Sequence, residues 1–235
     1  AQGKAKAERL LTPESGRRTL QDCRCDVESE KRNLVSRPYV AFEGIEGAGK
    51  STVAGRVGSR LERDGHRVLR VREPGGTAVG ESIRSILLSH ELEPAPWAEA
   101  LLFAAARAQL ASAIIGPALD AGTWVLSDRS VYSSLAYQGA ARALGIDAVR
   151  RVNEPGLLGV WPSLVILLAV DPAEGLARQS VGDRIGDEGF EFQQAVADGF
   201  AAVAASDPGR FVTIDAAAPL DDVVDTAYRE IRDRW

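Results

Sequence analysis

Tyr39-Val40-Ala41-Phe42-Glu43-Gly44-Ile45-Glu46-Gly47-Ala48-Gly49-Lys50-Ser51-Thr52 decides how the rest of this chain is read. Tyr39 to Phe42 is apolar and strand-sized. Gly44 to Ser51 fits the pattern G-x-x-x-x-G-K-[ST]. Thr52 to Arg63 then reads as a helix. The glycines let the backbone curl so that successive N–H groups converge on one phosphate, and the helix N-terminus adds its dipole. Lys50 is placed to bridge the β- and γ-phosphates, and Ser51 to hold Mg²⁺. Lys50 is also the only lysine after Lys31. The bland alternative, a glycine-rich turn with a solvated lysine, lacks the strand before and the helix after.

Working outward, 235 residues can bury one sizeable core. Hydrophobic residues make up 45% and charged residues 26%, which places the chain among soluble globular proteins. A net charge of −5 argues against a general nucleic-acid binder, so cations that meet anions must be concentrated locally. No stretch reads as a membrane span, and the N-terminus has no apolar signal core. Cys23 and Cys25 are too close for an ordinary disulfide framework and have no second ligand pair, so they are expected to be inert thiols of a reducing, cytoplasmic compartment. The chain contains no methionine and starts at Ala1, so the initiator is expected to have been removed or trimmed away.

Residues 1–36 hold three of the four lysines and few apolar positions, and are expected to be a disordered extension. From residue 37 to 235 strands and helices alternate. Strands are expected at His66–Val71, Trp124–Leu126, Leu164–Val170 and Phe211–Ile214. Helices are expected at Gly80–Ser89, at Trp97–Ala121 with a disturbance at Gly116-Pro117, and within Ser130–Leu144. Further helices are expected at Asp147–Asn153, on either side of Gly182–Gly189, and at Pro219–Trp235. Such alternation predicts an α/β fold, a parallel sheet with helices on both faces. Ligands of such sheets bind beyond the carboxyl ends of the strands. There Asp128 closes an apolar strand, where an acid can hold the water shell of Mg²⁺; it could equally cap the next helix. Arg129 beside it can hold a phosphate with two parallel hydrogen bonds.

Four ordered motifs then resemble the thymidylate kinase family: Phe42 to Thr52; Arg72-Glu73-Pro74-Gly75-Gly76-Thr77; Leu102-Phe103-Ala104-Ala105-Ala106-Arg107-Ala108-Gln109; and Asp128-Arg129-Ser130-Val131-Tyr132-Ser133-Ser134-Leu135-Ala136-Tyr137-Gln138-Gly139. The resemblance covers about residues 37 to 235. It implies a P-loop NTPase fold with a five-stranded parallel sheet and a short mobile lid at about 173–189. It also implies transfer of the ATP γ-phosphoryl group to dTMP, with Mg²⁺, in a cytoplasmic homodimer, without nucleic acid or membrane as partner.

By the same resemblance Gly44, Ile45, Glu46, Gly47, Ala48, Gly49, Lys50, Ser51 and Thr52 bind ATP, and Ser51 and Asp128 serve the metal. Phe103 stacks on the base, and Arg107, one turn on, reaches a base carbonyl. Ser134 and Tyr137 complete the pocket, Glu73 lies on the substrate side, and Arg129 clamps the acceptor phosphate. Glu46 stands where the family usually has Asp. The catalytic set is Lys50, Arg129, Glu46 and one or both lid arginines, Arg178 and Arg184, because Gly47 leaves the loop without an arginine of its own. Gly175, Gly182 and Gly186 are expected to allow hinge motion, and Arg178 could instead stack on adenine. Two alternatives stay open. One is a kinase for a deoxynucleoside or another nucleoside monophosphate, with Glu73 as a possible base. The other is a non-catalytic nucleotide-binding module.

Overall fold

Period-two alternation along the strands sets the layers of this molecule. The computed structural model describes residues 38–179 and 182–235, so the expected extension and Cys23 and Cys25 lie outside the described residues. Its strands are β1 (Tyr39–Glu43), β2 (Val68–Arg72), β3 (Trp124–Asp128), β4 (Leu164–Ala169) and β5 (Phe211–Asp215). They form one parallel sheet in the order β2-β3-β1-β4-β5, as the resemblance implied. Val40 lies between Leu126 on β3 and Leu164 on β4. All of β1 is buried, and β4 is buried up to Ala169. This is why both read as continuous apolar runs rather than alternating ones.

Between the strands lie α1 (Lys50–Arg63), α2 (Ala78–Leu88), α3 (Pro96–Leu110), α4 (Gly116–Asp120), α5 (Val131–Ser134), α6 (Ile146–Leu157), α7 (Pro172–Arg178), α8 (Gly189–Ser206) and α9 (Leu220–Arg232). Val40, Phe42 and Ile166 face Val57 and Leu61 of α1 and Val224 and Ile231 of α9. On the opposite face Ala41 and Val165 meet Val149 of α6 and Val203 of α8, and Tyr39 and Val125 meet Leu110 of α3. Each face is covered because a strand buried on both sides exposes no polar face to water.

Two helices depart from the expected outline. The disturbance near Gly116-Pro117 is a π-helical turn, Ala111–Ile115, between α3 and α4. Pro117 has no N–H to donate and would crowd the carbonyl four residues back, and a wider turn relieves both problems. The helix after Ser130 likewise passes from α5 into a π-helical stretch, Leu135–Ala141. Helix α6 also runs past Asn153 and carries Pro155 within it.

The continuous run Pro96–Asp120 is 25 residues long and contains an 18-residue stretch with a mean hydropathy of 1.4, which meets the length and composition of a membrane span. The expectation that no stretch approaches that length is corrected. In this fold the run buries Glu99 and Arg107 in ion pairs and packs Leu110, Ile115 and Leu119 against Tyr39 and Val125. Its buried apolar residues serve a protein core, while Trp97 and Leu101 stay exposed.

Candidate active site

The carboxyl ends of β1, β2 and β3 meet around one cavity of about 570 Å³. One wall is the loop after β1. Gly44, Gly47 and Gly49 adopt φ of 145°, 73° and 86°, and Gly49 precedes α1 without any side-chain cap. A helix N-terminus left without a side-chain cap is a ready anion site. Gly47 is required sterically as well. A Cβ there would lie 1.9 Å from the Gly175 carbonyl oxygen of α7, and a Cβ on Gly175 would lie 2.6 Å from the Glu46 carbonyl oxygen. Gly175 therefore has a packing role, as the point where α7 rests on the loop. The same contact explains why this loop carries no arginine at residue 47.

Lys50 is folded back, with Nζ donating to the Ile45 carbonyl at 2.7 Å. Burial, and then the charge of Arg129, lower its pKa to about 8, against the pull of Glu46 and Asp128. Ser51 Oγ donates to Asp128 Oδ2, which brings the loop hydroxyl and the β3 carboxylate together as expected. These are hard oxygen donors. Among the described residues no group of three or more His, Cys, Asp or Glu side chains could enclose a metal. One hydroxyl and one carboxylate fit Mg²⁺, which keeps most of its water and takes phosphate oxygens as ligands.

Arg129 follows with φ 71°, a left-handed backbone that is unfavourable for a residue with a side chain. Ser127 Oγ donates to its carbonyl at 2.5 Å, and its own N–H donates to the Phe42 carbonyl at 3.0 Å. The turn aims the guanidinium across the cavity. Nη1 donates to Ser133 Oγ at 3.1 Å, and Nη2 donates to Tyr137 Oη at 3.2 Å and to Glu46 Oε1. Burial opposes the charge on Arg129, but Glu46, Tyr137, Asp128 and Glu43 together outweigh it and raise the pKa; Arg129 in turn holds Glu46 below its usual range. Glu46, with its extra methylene, thus reaches the arginine of the DR pair.

A second wall comes from α3 and the segment after β3. Phe103, Arg107, Ser134 and Tyr137 all line the cavity, together with Glu73 and Arg129. Arg107 uses three of its five N–H donors within the wall: Nε donates to Glu73 Oε2 at 2.6 Å, Nη2 to the Ser130 carbonyl at 3.2 Å, and Nη1 to Asn153 Oδ1. Burial raises the Glu73 pKa while Arg107 opposes the rise. Tyr137 is also pushed up by burial. Ser134 Oγ is buried with no hydrogen-bond partner, an orphan hydroxyl on a cavity wall. Such a group has a reason to exist when a polar ligand satisfies it.

The lid arginines part company. Arg178 lines the cavity and donates to the Ala216 carbonyl at 2.9 Å, which places it beside the loop after β5. Arg184 does not join the site. Its Nη2 donates to the buried Glu99 Oε2 at 2.6 Å and its Nε to the Leu87 carbonyl at 3.0 Å. A desolvated carboxylate outcompetes the cavity for that guanidinium.

Several lining residues escaped the sequence reading. Arg84 of α2 reaches the cavity and donates to the Pro74 carbonyl at 2.9 Å. Gln138 and Arg72 also line it. Glu43 is buried beneath it, accepting from Ser130 Oγ at 2.7 Å and from Ser133 Oγ at 2.5 Å, which ties the end of β1 to the DR turn. The motifs did carry a signal for Glu43, Arg72 and Gln138, which stand inside Phe42–Thr52, Arg72–Thr77 and Asp128–Gly139, but gave them no role. Arg84 lies on a helix whose spacing reports only its apolar face.

A family model for thymidylate kinase matches residues 42–227. The thymidylate kinase of Bacillus pumilus (strain SAFR-032) is 42% identical over 205 residues, covering 85% of this chain and 97% of that protein. That of Deinococcus radiodurans is 40% identical over 199 residues, 83% of this chain and 97% of the relative. That of Pelotomaculum thermopropionicum is 48% identical over 183 residues, 76% and 85% of the two chains. With the family model spanning most of the chain and these relatives at 40–48% identity, this chain belongs to the thymidylate kinase family.

Proposed function

We propose that the protein is a dTMP kinase, moving the γ-phosphoryl group of ATP to the 5′-phosphate of dTMP to give dTDP. The observation that carries this reading is the single cavity in which a phosphate loop, Lys50 and Ser51, faces an acceptor wall of Phe103, Arg107, Arg129, Ser134 and Tyr137. The acceptor is already an anion, so no strong general base is needed. Catalysis is alignment of two phosphates and neutralisation of their charge.

In this reading the residues Gly44 to Thr52 bind ATP, and Lys50 bridges its β- and γ-phosphates. Ser51 and Asp128 hold Mg²⁺, which when bound neutralises charge on the transferring phosphates. Arg129, with Glu46 orienting it, clamps the acceptor phosphate, and Arg84 adds a second cation to that end. Phe103 stacks on thymine, Ser134 and Tyr137 close the pocket, and Glu73 holds Arg107 toward the base. Arg178, in the proposed lid at about 173–189, supplies charge from the donor side. We place the protein in the cytoplasm as a homodimer. Exposed Trp97 and Leu101 on α3 and Ile86 on α2 favour a second copy as partner.

A coupled assay comparing dTMP, dUMP, dGMP and thymidine tests the reading, with dTMP turned over fastest. Turnover of thymidine without dTMP would sink it and favour a deoxynucleoside kinase. The ion pair of Glu73 with Arg107 argues against that outcome, because it commits the carboxylate that would serve as base.

A further inference from the structure

Glu99 lies in the first turn of α3 and is only 1% exposed. A carboxylate so stripped of water needs several donors to remain charged. Gln138 Nε2 and Arg142 Nε donate to its Oε1 at 3.0 and 3.2 Å. Arg184 Nη2 and Arg142 Nη2 donate to its Oε2 at 2.6 and 3.3 Å. Arg142 also donates through Nη1 to Glu188 Oε2 at 2.6 Å. Glu99 thereby joins three parts of the chain: α3, the π-helical segment after α5, and the connection that enters α8.

The neighbours of these anchored residues give the network a consequence. Asp183 and Ile185, on either side of Arg184, both line the cavity, and so does Gln138. Asp183 Oδ1 accepts from the backbone N–H groups of Ile185 and Gly186 at 3.1 and 2.9 Å. Pinning Arg184 therefore fixes a short stretch of cavity wall, and bonding Gln138 fixes its amide at the same cavity.

We propose that Glu99 is a positioning residue for the acceptor side of the cavity, holding the Asp183–Ile185 wall through Arg184 and orienting Gln138 directly. Arg184 in this account is an anchor and not the arginine that neutralises the transferring phosphate. The proposal rests on the dTMP kinase reading for its kinetic test, but not for its structural one.

The test uses Glu99→Gln, Arg184→Met and the double variant of the full chain. Glutamine keeps the shape of Glu99 but removes the charge and turns an NH₂ toward arginine donors. Both single variants are expected to raise KM for dTMP about tenfold, with KM for ATP and kcat changed by less than about threefold. The double variant is expected to be no worse than Glu99→Gln alone, because removing Arg184 costs nothing further once Glu99 no longer holds it. In the nucleotide-free protein, hydrogen exchange at the Ile185 and Gly186 amides should quicken about tenfold in Glu99→Gln. A kcat loss of about a hundredfold in Arg184→Met, with Glu99→Gln unaffected, would overturn the proposal by making Arg184 catalytic. So would unchanged KM and exchange in Glu99→Gln. Should Glu99→Gln fail to fold, Glu188→Gln at the outer end of the network must show smaller shifts in the same direction, and no shift there refutes the idea. If the wild-type protein does not turn over dTMP, the functional reading fails, while amide exchange still decides whether Glu99 anchors the wall.

Discussion

Buried Lys50 and half-buried Arg129 line the same cavity, and the guanidinium bears on the charge of the lysine. Burial and Arg129 bring Lys50 down to about 8. In the free protein a neutral lysine is thus accessible, whereas a bound polyphosphate favours the ammonium. ATP binding is predicted to take up a proton above about pH 8, and ATP affinity to fall about tenfold per pH unit there. Calorimetry in buffers of different ionisation enthalpy measures the uptake, and an affinity flat from about pH 7.5 to 9.5 would contradict it. For stability the sign is the reverse of the usual paired lysine. The unfolded chain binds this proton more tightly, so the penalty is full below the folded pKa of about 8 and is relieved as pH rises toward about 10.5. Lys50→Ala is predicted to lower kcat by at least about 10²–10³, read in the coupled assay, since it deletes a fixed charge beside the transferring group.

At the level of elements, the contact of α7 with the phosphate loop is the most constrained joint. Gly47→Ala places a Cβ on the Gly175 carbonyl at a φ of 73°. It is predicted to cost about 1–3 kcal/mol in urea unfolding and to weaken ATP binding. Gly55→Ala in α1 is the matched control. Nothing lies within 4 Å of its would-be Cβ, so it should stabilise by about 0.5–1 kcal/mol. If both substitutions destabilise alike, the Gly47 argument fails. Thr77 caps α2 by accepting from the Gly80 N–H at 2.9 Å, and Thr77→Ala is expected to cost about 1 kcal/mol. That helix carries Arg84, so the cap also supports a cation of the acceptor end.

Across the whole molecule, the parallel sheet collects strand ends that are distant in sequence, and the helices leave apolar residues at one surface. Leu101 is 53% exposed and Trp97 42% exposed on α3. Leu101→Asp is predicted to shift light-scattering mass from dimer to monomer while far-ultraviolet circular dichroism is unchanged. A mass that never exceeds one chain, with or without the substitution, rules out the dimer.

Sequence by itself determined the strands, the phosphate loop and most of the residues that line the cavity. Those features are contiguous: a strand is a run of neighbours, the loop is eight residues long, and Phe103 and Arg107 lie one helical turn apart. Tertiary structure alone decided which charges pair. Glu73 with Arg107, Glu46 with Arg129 and Glu99 with Arg184 are separated by 34, 83 and 85 residues. No local pattern records such partners, because burial and not spacing selects them. This is why Arg184 read as a lid cation from its glycine-rich surroundings, yet in the fold it meets a carboxylate that has lost its water.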